Sequence, residues 1–300
     1  CGRSAGRRRR YRDLIRGIVR LLSKGLPLPV LLLAALAGWV LTATPEEGFP
    51  ILEYHMVKEN PSAEERPYVV PPADFAEQLD YLTAEGYTTI TPQDYARARK
   101  GKQTLPEKPV ILSFDDGYED NYRVVLPMLE ERGMKAVFYM VTNDIGQPGY
   151  LTWDNLFDME RRGMEIGSHT ANHLPLTTLS PDKQREELRL SKLMLEWKGM
   201  KTIYSFSYPN GAYDAAIVAM LAEEDYLTAV TGEAGLNSFE TNPYLLHRVN
   251  IAPPRLGLAE FRLRLMKADI AARLNARLAQ LPDGVREGIE ALRAVLRNHL

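Results

Sequence analysis

Between Pro50 and Ile251 the chain switches repeatedly between two hydrophobic periods, and this alternation limits the possible folds more than any other feature of the sequence. Short runs over Pro50–Tyr54, Val110–Phe114, Ala136–Met140, Glu165–Ser168, Thr202–Ser207, Leu227–Val230 and Leu245–Ile251 predict strands. Apolar residues at helical spacing predict helices over Ala73–Glu85, Pro92–Lys100, Asn121–Arg132, Trp153–Arg162, Pro181–Trp197 and Asp214–Glu224. Gly86, Gly133, Gly163 and Gly199 follow four of these patterns, where a left-handed C-terminal cap belongs. Strands and helices taken in turn predict an α/β domain with a parallel sheet or barrel, its function carried at the C-terminal strand ends.

The two ends of the chain read differently. Residues 1–24 hold nine Arg and Lys against one Asp, and the next charge after Lys24 is Glu46. An uncharged, largely apolar stretch of this length spans about 30 Å as a helix, enough to cross a bilayer. The basic flank then orients it, with 1–24 in the cytoplasm, 25–45 as a transmembrane anchor or signal segment, and the remainder outside. Residues 46–254 form the expected catalytic domain. Beyond Pro253-Pro254, Leu263, Met266, Ile270, Leu274, Leu278 and Leu281 share one helical face, and Val285, Ile289, Leu292 and Leu296 begin another. Residues 255–300 therefore predict amphipathic helices, a hairpin that packs on the main domain or meets anionic lipid or a partner. Outside the first 24 residues the acids outnumber the bases, which argues against nucleic acid as a partner. The single cysteine, Cys1, excludes a disulfide framework.

The chemistry is concentrated in two short stretches. Ser113-Phe114-Asp115-Asp116-Gly117 places adjacent carboxylates at the end of an apolar strand. Neighbouring strand residues point to opposite faces, so both acids serve one site only where the strand stops. Alone, the stretch reads more simply as a charged loop with the N-cap of a helix. His169-Thr170-Ala171-Asn172-His173 follows a second strand end, and its histidines have the i, i+4 spacing that on a helical turn lets two imidazoles share one cation. Two histidines, a carboxylate and open positions describe a hydrolytic metal site rather than a closed structural one.

Together these two stretches resemble the first two motifs of the polysaccharide deacetylases, the NodB-homology or carbohydrate esterase family 4 group. The resemblance covers about residues 50–251. It implies a distorted (β/α) barrel, with Asp116, His169 and His173 as ligands of a divalent metal, usually zinc, and Asp115 as catalytic base. The implied reaction is hydrolysis of N-acetyl groups from an N-acetylhexosamine polysaccharide. Phe206-Ser207-Tyr208-Pro209-Asn210-Gly211 corresponds to the third motif, implying a substrate or oxyanion role for Tyr208, Pro209 and the backbone N–H of Asn210. Ser207 stands where the family often has an arginine that steadies the catalytic Asp, which leaves the tuning of Asp115 open.

Leu245-Leu246-His247-Arg248 approaches the motif that supplies the general acid, with His247 expected in that role and Arg248 competing for it. Ile51-Leu52-Glu53-Tyr54-His55-Met56-Val57 resembles the opening strand of the branch acting on poly-β-1,6-N-acetylglucosamine, and sets His55 near the site. Tyr118 and Trp153 are candidates to stack on sugars, Trp153 equally a core residue. A peptidoglycan deacetylase, an O-acetyl-glycan esterase and a non-catalytic glycan-binding protein remain as alternatives. Oligomeric state has no sequence signature.

Overall fold

The computed structural model describes residues 38–40, 48–251, 256–278, 280–282 and 284. Most of them belong to one compact unit, Gly48–Ala268. Its strands are β1 (Ile51–Tyr54), β2 (Met56–Val57), β3 (Val69–Val70), β4 (Thr88–Thr89), β5 (Pro109–Phe114), β6 (Val137–Met140), β7 (Glu165–Ser168), β8 (Ser205–Ser207), β9 (Thr228–Val230) and β10 (Val249–Asn250). The helices are α1 (Pro72–Ala84), α2 (Pro92–Arg99), α3 (Leu126–Glu130), α4 (Trp153–Arg161), α5 (Pro181–Trp197), α6 (Ala215–Glu223) and α7 (Leu258–Leu278). The last crosses into a second unit, made of residues 1–47 and 269–300.

Eight strands form one parallel sheet in the order β10-β1-β5-β6-β7-β8-β9, with β4 paired to β5. The sheet curls into a half-barrel with both faces covered, and this is why its strands carry almost unbroken apolar runs rather than alternation. Val110, Ile111, Leu112 and Phe114 of β5 are all fully buried. The seam of the curl is thin. Leu246 makes a single parallel bridge to Val230 of β9, and a few residues later Val249 and Asn250 pair with Leu52 and Glu53 of β1. The distorted barrel implied by the resemblance is realised as this curled sheet. The expected strand over residues 245–251 is cut to β10 because that run crosses from one edge strand to the other.

Local signals set the helix boundaries. Thr91 caps α2 in a reciprocal box with Asp94, Thr152 caps α4 with Asn155, and Asp214 accepts from the N–H of Ile217 at the start of α6. Gly86, Gly133, Gly163 and Gly199 all have positive φ after their helices, as their positions required. One element had no sequence signal. Asn121–Val125, just before α3, is a π-helical turn, a form that recurs at functional sites.

The start of α7 belongs to the main unit: Phe261 is buried edge-on against Tyr81, and Arg264 donates to the carbonyl of Asn250. In the second unit, Arg277 donates to the carbonyl of Trp39. Among the described residues no helix is long and apolar enough to cross a membrane. Of the expected anchor at 25–45 only residues 38–40 are described, and the second helix of the C-terminal hairpin lies outside the described residues, as does the basic segment 1–24.

Candidate active site

The C-terminal ends of β1, β5, β7 and β8 and the start of β10 surround a cavity of ≈ 580 Å³. Asp115, Asp116, His169, His173, Tyr208, Asn210, His55 and Arg248 all line it. A parallel sheet has this property: each strand ends on the same side, and the loops that follow meet there.

The two aspartates are separated by the turn that ends β5. Asp116 and Gly117 both take left-handed backbone angles, φ 70° and 78°. For a non-glycine residue this costs about 1–3 kcal/mol, and such strain persists where surrounding contacts enforce it. Asp115 is thereby left almost fully buried and Asp116 faces the histidines. The Nε2 atoms of His169 and His173 lie 3.5 and 3.4 Å from one Asp116 oxygen, Oδ1.

Their spacing is right, but its physical origin differs from the expectation. Residues 169–173 are a loop rather than a helical turn, with Thr170 at φ 68° and His173 at φ 55°. The loop is stitched by bonds from the N–H of Thr142 to Thr170 O, from Asn143 N–H to Ala171 O, and from His173 N–H to Thr170 Oγ1. Strand β7 ends at Ser168, so the first histidine leaves the sheet directly, and the two left-handed residues bring the second one back toward it.

The donor set fits a divalent cation. His169 Nδ1 is 2.7 Å from the carbonyl of Ser207. A carbonyl only accepts, so Nδ1 carries the proton and the Nε2 lone pair is left facing Asp116. Burial lowers the pKa of His169, which favours the neutral ring a metal requires. Asp116 Oδ1 is buried without a hydrogen-bond partner. A buried orphan carboxylate oxygen between two imidazoles is costly unless a cation completes it. Tetrahedral ligands about 2.0–2.1 Å from zinc lie roughly 3.4 Å from one another, close to the separations found here.

Asp115 sits in a different electrostatic setting. Arg248 Nη1 donates to both of its oxygens, at 2.9 and 2.8 Å, and Ser207 Oγ donates to Oδ2 at 3.1 Å. Burial alone would raise the Asp115 carboxyl, but the guanidinium beside it holds the pKa down at about 2. Arg248 is itself 2% exposed. It donates from Nε to the Thr231 carbonyl and pairs through Nη2 with Glu53 at 3.2 Å. The arginine absent at position 207 is therefore replaced in space by one from β10's approach, while the Ser207 hydroxyl bonds Asp115 and its backbone carbonyl accepts from His169. Burial pushes the Glu53 carboxyl up, against the pull of Arg248.

His247 does not line the cavity. Adjacent residues of an extended chain point opposite ways, so Arg248 facing inward sends His247 outward. Its ring packs on Gly235 and its Nδ1 is 4.0 Å from Glu233. The expected general-acid position is thus not supported by geometry. His55 is the cavity histidine outside the triad: its ring lies 5.4 Å from that of Tyr68, and its carbonyl accepts from Asn121 Nδ2 at 3.0 Å.

In the third motif, Asn210 is left-handed at φ 54° and lines the cavity, whereas Pro209 is buried behind it. Tyr208 reaches the cavity wall and donates to the Tyr244 carbonyl. Tyr118 lines the cavity stacked on Tyr150, whose ring is 5.3 Å away. Trp153 packs against the core under Lys198 and is not among the lining residues. The sequence reading missed Glu53, Asp144 and Tyr150. Glu53 had a usable signal, a lone acid inside the wholly buried strand Ile51–Tyr54.

A curled parallel sheet with a buried carboxylate beside a two-histidine, one-carboxylate cluster fits a hydrolase of the deacetylase class, and the comparisons with known proteins bear this out. The polysaccharide deacetylase family model matches residues 102–229, and the Bacillus subtilis protein YxkH, itself named for a polysaccharide deacetylase, is 33% identical over 223 residues, 74% of this chain and 78% of that one. The chain belongs to the polysaccharide deacetylase family. An alignment 144 positions long, covering 43% of this chain and 21% of the other, is 31% identical to the poly-β-1,6-N-acetyl-D-glucosamine N-deacetylase of Escherichia coli. Among solved structures, the Streptococcus pyogenes deacetylase PplD in complex with acetate superposes with a TM-score of 0.67 at 30% identity, over 75% of this chain and 99% of that one.

Proposed function

We propose that this deacetylase removes N-acetyl groups from a poly-β-1,6-N-acetylglucosamine-like polymer, depends on a divalent metal, zinc foremost, and works outside the cytoplasmic membrane. The observation that carries the reading is the unpartnered Asp116 Oδ1 between two imidazole Nε2 atoms, beside a separately buried Asp115. The substrate assignment draws support from the similarity to the Escherichia coli enzyme, and the location from the basic, then apolar, N-terminal sequence.

Asp116, His169 and His173 would hold the ion. When bound, it supplies a Lewis acid for the amide carbonyl and brings the pKa of a water toward neutrality. Asp115, ionised at neutral pH and oriented by Arg248 and Ser207, accepts the proton of the attacking water. The backbone N–H of Asn210, a cavity-lining residue, would donate to the developing oxyanion. His55, whose ring nitrogen lies within 4.8 Å of the Asp115 carboxylate, takes that proton from Asp115 and passes it to the leaving amine, because without it the tetrahedral intermediate reverts to amide rather than expelling amine. Tyr118 and Tyr150 offer aromatic surface to neighbouring sugars.

The test is acetate release from β-1,4 and β-1,6 N-acetylglucosamine oligomers and from O-acetylated glycan, with bound metal measured on the same samples. Asp115→Asn should keep metal and lose nearly all turnover, and His169→Ala should lose metal. Faster turnover of β-1,4 oligomers, or of O-acetyl esters, would replace the substrate assignment. Full activity after exhaustive chelation would end the metal reading. Protease protection of residues 46–300 in spheroplasts or protoplasts, with the cytoplasmic membrane intact, would overturn the location.

A further inference from the structure

The loop that carries the histidine pair is held by a carboxylate outside every motif. Glu187 lies on α5, 7% exposed, and its Oε2 accepts from the backbone N–H groups of Ala171 and Asn172, both at 2.9 Å. Its Oε1 accepts from Asn172 Nδ2 at 2.6 Å. The orientation of that amide is not free, since Asn172 Oδ1 accepts from Asn143 Nδ2 at 2.7 Å. Among the described residues Glu187 forms no ion pair.

A buried carboxylate without a cation is unfavourable unless donors surround it. Here the donors all come from one loop, between His169 and His173, at the two residues that follow the left-handed Thr170. We infer that Glu187 is a positioning residue for the metal ligands: by clamping Ala171 and Asn172 to a rigid helix, it fixes the spacing of the two imidazoles and sets the affinity for the ion. This rests on the metal assignment proposed above. Removal of such an outer partner typically weakens metal binding about 10–100-fold.

Glu187→Gln tests the polarity of the clamp while keeping its size. A glutamine has one acceptor oxygen, so it either leaves its NH2 facing Asn172 Nδ2 or turns that NH2 onto the two backbone donors. Asn172→Asp supplies the missing acceptor to the glutamine amide and still accepts from Asn143, so the double variant rebuilds the network with its donors and acceptors exchanged. The full chain, stripped of metal, is titrated with Zn²⁺ against a chromophoric chelator, and folding of each metal-free variant is checked by circular dichroism.

Glu187→Gln is expected to bind Zn²⁺ about 10–100-fold more weakly than wild type, and Glu187→Gln/Asn172→Asp to recover to within a few-fold. Affinity of Glu187→Gln within twofold of wild type, or a double variant as weak as the single, overturns the inference. Wild type that fails to bind Zn²⁺ or another divalent ion overturns the metal assignment itself, which the comparison between variants leaves separate.

Discussion

Replacement of Arg248 by methionine isolates the strongest electrostatic contact of the site. The guanidinium touches Asp115 at 2.8 and 2.9 Å and Glu53 at 3.2 Å, and all three residues are less than a tenth exposed. A unit charge about 4 Å away contributes about 4 kcal/mol at an effective dielectric of 20, so two carboxylates lose about 8 kcal/mol of attraction. The arginine's own desolvation cost disappears with it, and water and protons reach the stranded acids. Breaking one side of a buried pair leaves a net loss of about 3–5 kcal/mol. The loss depends on pH in a defined direction. Asp115 has its folded pKa depressed to about 2 from 3.8, so its contribution is present above 3.8 and is lost as pH falls through about 2. In Arg248→Met both carboxyls have pKa values well above the unfolded range, so the variant takes up protons on folding. Its deficit is largest near pH 7 and shrinks as pH falls toward 4. Urea denaturation of wild type and variant in chelating buffer, at pH 7 and pH 4.5, reads both quantities. A deficit under about 1 kcal/mol at pH 7, or the same deficit at both pH values, would refute the assignment of Arg248 as the charge that holds these acids.

Asp120 accepts from the N–H of Val57, and burial pushes its pKa up to about 6 from 3.8. A raised carboxyl opposes folding increasingly as pH rises from about 4 through 6, so Asp120→Asn should gain about 2–2.5 kcal/mol relative to wild type between pH 4 and 7.5; equal melting differences at both pH values would contradict this. His55→Ala should lower kcat about 10²–10⁴-fold, as for loss of a general acid, while His247→Ala stays within a few-fold; acetate release decides, and the reverse order would restore His247 to the reaction. Gly211 has φ 65°, and a Cβ there would lie 2.8 Å from the Gly232 nitrogen. Gly211→Ala should therefore cost about 2–4 kcal/mol and disturb Asn210, whereas Gly133→Ala, equally left-handed but in open space, should cost about 1–2; similar melting shifts for the two would rule out the backbone contact as the cause.

The strands and helices were legible because their signals are local: buried apolar runs, capping threonines and glycines at helix ends. The site was legible where two motifs each place their residues at a strand end. What escaped depends on contacts remote in sequence. Glu53 lies in β1 and Arg248 just before β10, and they neighbour each other only because the sheet curls until β10 meets β1. No spacing along the chain announces that Arg248 reaches Asp115, 133 residues away. The His169–His173 spacing suggested a helical turn because i, i+4 is the helical repeat, yet two left-handed residues reach the same juxtaposition by another route. Glu187 read as an ordinary acid on a helix surface; its burial follows from how α5 packs beneath the loop.

Arg248 also explains how adjacent aspartates can play different parts. Four carboxylates line the cavity, Glu53, Asp115, Asp116 and Asp144, against a single guanidinium among the described residues. That guanidinium is fully engaged by the first two and by the Thr231 carbonyl. Asp115 is thus already neutralised and anchored, a poor ligand for a second cation but well placed as a fixed proton acceptor. Asp116, turned away by its left-handed backbone, receives nothing from the arginine and faces two imidazoles instead. On the proposed reading, a cation entering the cavity is expected at Asp116 rather than at Asp115. The proposed division between ligand and base is therefore set less by the Asp-Asp dipeptide than by the charge that arrives from the far edge of the sheet.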